Sequence, residues 1–314
     1  MRDYIIRRLI MLIPILLGIS IAIFVVMQLI PGDVVSGILG IEQTPELREM
    51  WEKKLGLDKS LPEQYLNWIG KAITGDFGES FRTGAPVFPE IISRFKISAE
   101  LAILACIFAW IIALPLGVLS SLKRNSLIDR VVRVTALMGV SIPNFASATL
   151  LILFLAKVFN YHTPVKFAGL FENFGVNMQI MLLPALVLGS VMAGSVMRMT
   201  RSSMLEVLRQ DYIKAVRAKG APEKVTIFRH AFKNSSIPIV TLIGMQIGSL
   251  MGGTVVIEQI FSIPGLGQYT LTGISQRDYP VVQGCVLFIA VVYVLINLLV
   301  DILYTYIDPR ITYS

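Results

Sequence analysis

Six stretches of this 314-residue chain are apolar for about 20 residues or more, and that pattern fixes the solvent before it fixes the fold. They run from about Leu9 to Ile30, Ile97 to Leu122, Val131 to Phe159, Met178 to Met199, Ile237 to Phe261 and Val281 to Ile307. A helix of roughly 20 such residues crosses the hydrocarbon layer of a bilayer. In lipid it also satisfies its own backbone, which an isolated strand cannot do. The expected fold is an all-α polytopic membrane protein with about six transmembrane helices. Composition agrees, because only 16% of residues are charged and 54% are hydrophobic, whereas charged residues make up about a quarter of a soluble domain.

The net charge of +7 is not spread evenly. Its basic residues stand in blocks beside the apolar runs, as cytoplasmic retention of Lys and Arg requires. Nucleic-acid binding is excluded as the reading, since no basic face with interleaved aromatics is formed. Arg2, Arg7 and Arg8 precede the first run, Lys123, Arg124, Arg130 and Arg133 follow the second, and an Arg198 to Lys233 block follows the fourth. All three place the same side inside, so the N and C termini are expected to be cytoplasmic in a multi-pass membrane protein. Residues 1–30 form an N-terminal tail and first helix, 31–96 an external domain, and 97–314 the transmembrane region containing a cytoplasmic loop at 200–235.

The 31–96 segment is mixed in character and contains two helix signatures. Thr44-Pro45-Glu46 reads as a cap, a first-turn proline and a first-turn acid, with Leu47, Met50, Trp51 and Leu55 on one face and a stop at Gly56. Ser60-Leu-Pro62 opens a second helix carrying Tyr65, Leu66, Trp68 and Ile69. Prolines at positions 14, 115, 143, 184 and 238 lie in or beside the membrane runs, where neighbouring helices or water have to satisfy the freed carbonyls.

Sites of chemistry are absent from the pattern. There is no His-Glu-x-x-His, no Gly-x-Ser-x-Gly and no phosphate-binding Gly-x-x-x-x-Gly-Lys-Ser/Thr. His162 and His230 are far apart in sequence and lack clustered ligand types, so no metal site is expected. Cys106 and Cys285 both fall in apolar runs and read as small packing residues. Glu100, Lys157, Glu258 and Asp301 are the ionisable residues of the spans, and each is expected near a span end within reach of water.

The 200–235 segment is too charged to cross a bilayer, since each central Arg or Lys costs ~2.5–3.5 kcal/mol. Yet Leu205, Leu208, Tyr212, Ala215 and Val216 recur at helical spacing. The spacing predicts a helix from about Leu205 to Lys219, ended by Gly220 at positive φ, and a second beginning at Pro222 and passing through Val225, Phe228 and Phe232. The apolar face calls for a protein partner. Arg209, Lys214 and Arg217 interrupt it too often for a helix resting on lipid.

Several short motifs recur in a fixed order: Ile30-Pro-Gly-Asp33, Leu55-Gly-Leu-Asp58, Gly75-Asp-Phe-Gly78, Ser141-Ile-Pro-Asn-Phe145, Ala215-Val-Arg-Ala-Lys-Gly220, Arg229-His-Ala-Phe-Lys-Asn234, Phe261-Ser-Ile-Pro-Gly-Leu-Gly267 and Arg277-Asp-Tyr-Pro-Val-Val-Gln-Gly284. Over nearly its whole length the chain resembles the permease subunits of dipeptide, oligopeptide and nickel ABC importers, and among these the first-named permease of the pair. The resemblance implies a type I importer permease that is itself not an enzyme. It implies a second homologous permease, two ATP-binding subunits, an extracytoplasmic substrate-binding protein and surrounding membrane lipid, with ATP and Mg bound by the partner subunits and no cofactor in this chain. Lys214-Ala-Val216 stands where the wider class has Glu-Ala-Ala, and Gly220 matches its glycine. Asp211, Tyr212, Ala215, Ala218, Lys219 and Gly220 are then the expected ATPase-coupling face. Phe261, Pro264, Gly265, Gly267, Arg277, Asp278 and Tyr279 are the expected external gate, on an irregular segment rich in Gly and Pro. Di- or oligopeptides are the implied cargo, and the implied location is a bacterial inner membrane. The competing reading is a secondary transporter or channel whose cytoplasmic loop binds lipid.

Overall fold

The computed structural model describes residues 2–29, 35, 39, 44–164 and 166–307. The Pro31–Asp33 motif and the tail from Asp308 onward lie outside the described residues. In chain order the helices are α1 (Arg2–Leu29), α2 (Pro45–Leu55), α3 (Leu61–Ile73), α4 (Val87–Leu122), α5 (Leu127–Ser141), α6 (Asn144–Phe159), α7 (Phe174–Leu208), α8 (Asp211–Ala218), α9 (Lys233–Ile260), α10 (Leu266–Gln276) and α11 (Tyr279–Ile307). One helical turn at Glu223–Val225 and a π-helix at Thr226–Phe232 lead into α9. Among the described residues four helices are long and apolar enough to cross a membrane, or up to six if two bent pairs each count as one span.

One compact unit consists of Met1–Ser98 with Pro264–Leu295. Its helices start where the sequence placed caps: Leu47 N donates to Thr44 Oγ1 at 3.3 Å, and Ser60 N donates to Glu63 Oε2 at 3.3 Å. The aromatic residues of α3 are used against α1, where Phe24, Tyr65 and Trp68 form a ring cluster and Ser20 Oγ lies 2.9 Å from the Tyr65 hydroxyl. Elsewhere α1 exposes Ile10, Ile13, Leu17, Val26 and Leu29, a surface suited to lipid. A second core joins Val87, Ile91, Leu266, Val281 and Cys285. The expected span beginning at Ile97 starts ten residues early, at Val87, because the polar first turns of a helix need not share the limits of the hydrocarbon.

The other unit is Ala99–Ile263 with Ile296–Ser314. Its centre is α7, whose 35 residues make a rod of ~52 Å, well beyond the ~30 Å of hydrocarbon. The helix that carries the fourth span continues past Met199, through Arg201 and Glu206 to Leu208. Against it pack α4, α5 and α9 through Ala109, Ala113, Ala136, Ala193, Val196 and Ile239. Small residues bring the backbones together, as they do in membrane bundles. A Cβ on Gly194 would lie 2.5 Å from the Ala136 carbonyl oxygen, so only glycine permits this crossing.

The expected single span from Val131 to Phe159 is instead two helices bent by 105°. Pro143 lacks an N–H and disfavours helical geometry at the preceding residue, and Ile142 is extended at φ −87° and ψ 122°. Glu258 also departs from expectation. It is fully buried, as is Thr254 one turn before it, and its carbonyl accepts from Ile263 N at 2.8 Å where α9 ends. Lys157 is exposed and Glu100 half-buried. His162 lines a cavity of about 520 Å³ with Tyr161, Leu155, Ile180 and Phe261.

Candidate functional site

The segment after α7 is built as a short projecting helix with one buried anchor. Arg209 and Gln210 break the rod, and Gln210, extended at φ −71° and ψ 148°, starts α8 at Asp211. The helix expected from Leu205 is thus divided: Leu205 and Leu208 belong to α7, and α8 holds only eight residues. Within α8 Ile213 is completely buried, against Val118 of α4, Met204 and Val207 of α7, and Ile227 and Ala231 of the π-helix. Burial of such a side chain contributes roughly 1.5–3 kcal/mol, enough to hold a helix too short to persist alone.

A second attachment is polar. The Tyr212 hydroxyl donates to the His230 carbonyl at 3.2 Å and accepts from Asn234 Nδ2 at 2.8 Å. Asn234 Nδ2 also reaches the His230 carbonyl at 2.8 Å. The π-helix has unusual spacing between its carbonyls and donors, and such turns recur at functional sites. Here the tyrosine of α8 is bound to one of those carbonyls.

The end of α8 is a Schellman stop. Gly220 has φ +79°, its N–H donates to the Arg217 carbonyl at 2.9 Å, and Ala221 N reaches the Val216 carbonyl at 3.4 Å. Beyond it Pro222 caps the next turn, and Arg217 binds Glu223 through Nε at 3.2 Å and Nη2 at 2.7 Å across the corner. Asp211, Ala215, Ala218, Lys219 and Gly220 are all exposed. The spacing of four and three places Asp211, Ala215 and Ala218 on one outward face of α8, and Lys219 and Gly220 follow at its end. Tyr212 is half-buried, with its hydroxyl turned to the protein's own backbone.

The residues expected at the gate lie at the link between α9 and α10 and at the turn between α10 and α11. Phe261 ends α9 and is half-buried. Most of the stretch expected to be irregular is so: residues 261–265 are not helical, Gly265 caps α10, and only from Leu266 does the helix begin, with Gly267 buried inside it. Pro264 presents its carbonyl to Arg94 Nη1 at 3.4 Å, and the Arg94 guanidinium lies over the Tyr269 ring at 5.5 Å. Arg277 has φ +57° and is exposed, while Asp278 is 2% exposed. The Asp278 carboxylate accepts from Ser80 Oγ at 2.5 Å and Phe81 N at 3.1 Å. It clasps the turn that precedes α4. Tyr279 packs with Ala72, Val282 and Leu287.

Two features escaped the sequence reading. Ile213 was hidden because the apolar residues of an eight-residue helix surround too little of an axis to define a face. Asp129 was hidden by distance, since its partner Arg201 lies 72 residues away.

The family described as binding-protein-dependent transport system inner membrane component matches residues 113–313, and its N-terminal companion matches 1–102. The chain belongs to this family. It is 40% identical, over the full length of both chains, to a dipeptide transport system permease protein DppB from Alkalihalophilus pseudofirmus. It is also 40% identical, again over both full lengths, to an oligopeptide transport system permease protein AppB from Bacillus subtilis, and 38% identical to a glutathione transport system permease protein GsiC from Shigella flexneri. A chain of the MetNI methionine ABC transporter, solved in inward-facing conformations, superposes with a TM-score of 0.55. At 16% identity it covers 70% of this chain and 96% of its own. This likeness shows a shared permease fold. The family makes the protein a membrane permease component of an ABC importer, and the secondary carrier or channel falls behind that reading.

Proposed function

We propose that this permease forms half of the translocation path of an ATP-driven importer of di- or oligopeptides and receives energy through α8. The observation that carries the coupling site is the design of α8: a buried anchor at Ile213, a fixed stop at Gly220, and an outward face of Asp211, Ala215, Ala218 and Lys219. Small and charged residues on a rigid projecting helix suit insertion into a groove on another protein. The peptide cargo is inferred from the names of the full-length relatives.

The complete importer consists of this chain, a second homologous permease, two ATP-binding subunits, identical or different, and an extracytoplasmic binding protein. ATP and Mg occupy the ATP-binding subunits. The N and C termini and α8 lie on the cytoplasmic side of a bacterial inner membrane, and the 44–86 segment lies outside, with Pro264–Tyr279 near the external end of the path. Nucleotide binding favours one global state, and the docked α8 transmits that preference to the spans.

The test is affinity purification from gently solubilised native membranes with identification of the associated proteins. Recovery of a second permease and ATP-binding subunits, lost when residues 211–220 are replaced by a Gly/Ser linker, supports the reading. A chain that carries no ATP-binding subunit even after cross-linking overturns it in favour of a carrier or channel with a lipid-binding loop.

A further inference from the structure

About two turns before α7 ends, a single carboxylate gathers three segments of the chain. Asp129 is fully buried, at the start of α5. Its Oδ1 accepts from Ser120 Oγ at 2.6 Å, at the end of α4, and from Arg201 Nε at 2.7 Å, on α7. Its Oδ2 accepts from Arg201 Nη2 at 3.0 Å and from Asn125 N at 2.9 Å, in the α4–α5 turn. Asn125 is held at φ +63°, and Arg133 Nε stands 3.7 Å from Oδ1 with a mostly solvated side chain.

A buried charge with so many donors is well compensated, but compensation alone is a weak reason for an ion pair. Apolar replacements of similar volume are often at least as stable. What the pair adds is geometry: two parallel bonds from a planar guanidinium fix angle as well as distance. Arg201 sits on α7 between its membrane-embedded part and α8, and one turn further on Met204 and Val207 hold the Ile213 anchor. Thus α8 is fixed to the end of α7, and the end of α7 is fixed through Asp129 to the α4–α5 hairpin.

We propose that Asp129 and Arg201 are a positioning pair for energy coupling: they make α7, α8 and the α4–α5 hairpin move as one body when the ATP-binding subunits displace α8. The proposal rests on the importer reading and adds the route by which movement leaves α8.

The test uses the complete reconstituted complex with its ATP-binding subunits and binding protein. Spin labels at Arg124→Cys and Lys224→Cys, both on exposed positions, report the distance between the α4–α5 turn and the corner after α8. Radiolabelled alanyl-alanine uptake and ATP hydrolysis are measured in parallel. In the otherwise wild-type complex the distance stays fixed when a non-hydrolysable nucleotide binds. In Asp129→Asn and Arg201→Lys it changes with nucleotide, ATP hydrolysis continues, and uptake per ATP falls about tenfold. If Asp129→Asn leaves an unpaired guanidinium that prevents assembly, the double variant Asp129→Asn/Arg201→Gln removes both charges and carries the test. Its distance is expected to vary with nucleotide as well. A double variant that assembles with a nucleotide-invariant distance, or that restores full uptake per ATP, overturns the proposal. A wild-type permease with which no ATP-binding subunit assembles, so that the complex cannot be reconstituted, overturns the importer reading itself before any variant is made. If alanyl-alanine is not carried, the spin-label distances still decide.

Discussion

Gly220 provides the sharpest perturbation, because its surroundings isolate one cause. Its φ is +79°, and a Cβ built there meets no atom within 4 Å. A side chain at this position suffers no clash with neighbours, so the cost is that of the left-handed backbone alone. For alanine that is about 1–2 kcal/mol. Asparagine tolerates the region better and costs less, while valine, branched at Cβ, costs more. The opposing contact is the exposed Arg217–Glu223 pair, which contributes at most ~1 kcal/mol. The native corner in Gly220→Ala therefore loses about 5–30-fold in population relative to its alternatives. Because the residue lies outside the apolar runs, the amount of permease in the membrane is expected to stay constant. ATP-driven peptide uptake in proteoliposomes, normalised to assembled complex, should rank Gly, Asn, Ala, Val in descending order. Equal uptake for Gly and Val would show that the Schellman stop is not needed. Equal losses for Asn and Val would show that the cost is not conformational.

Other residues give narrower tests. Tyr212→Phe removes a donor to His230 and an acceptor from Asn234, a loss of roughly 0.5–1.5 kcal/mol per bond, and should speed amide hydrogen exchange across α8 without altering that of α5. Asp278→Asn exchanges a charged acceptor of two hydrogen bonds for a neutral one, each bond to the charge being worth ~1.5–3 kcal/mol; proteolysis and exchange within residues 79–86 should rise selectively. Gly194→Val forces α5 away from α7 against the 2.5 Å approach of the Ala136 carbonyl, and should lower thermal stability in detergent by about 1–3 kcal/mol. Glu100 has a buried Oε1 without a hydrogen-bond partner among the described residues, the kind of carboxylate a proton-driven carrier uses. In an importer, Glu100→Gln retains ATP-driven uptake that a protonophore does not abolish, whereas loss of uptake in both experiments would return the carrier reading.

How much of this was legible depended on the range over which each signal acts. The caps at Thr44 and Ser60 and the stop at Gly220 are decided by residues within one turn, and the structure has all three where the sequence put them. The membrane runs were legible as composition, but composition marks where lipid lies and not where a helix ends. That is why α4 begins at Val87 and α7 runs on to Leu208. Pro143 was visible, yet an apolar run gives no information on whether a proline kinks a helix or breaks it by 105°. The outward residues of α8 were named through the resemblance to the permease family. The inward anchor was not, because Ile213 is chosen by Met204, Val207, Ile227 and Ala231 closing around it. The pairing of Asp129 with Arg201 is likewise a property of the folded helices, in which Asp129 N also donates to Ser126 Oγ at 3.3 Å.

In the coupling role proposed for α8, these attachments are what lets an eight-residue helix deliver force. Alone, α8 is below the length at which helices persist in water, and a lever that melts or swivels transmits nothing. Its inner side is held by an apolar contact at Ile213 and a polar one at Tyr212, which fail under different perturbations and constrain different directions. The next link is the bidentate pair at Arg201 and Asp129, where angular restraint matters more than strength. Deeper in the bundle the contact between α5 and α7 is backbone against backbone at Gly194, with no flexible side chain to absorb a displacement. From the outward face to the bundle interior, each successive contact is stiffer than a surface loop resting on lipid would need, and that graded stiffness is what a coupling element requires.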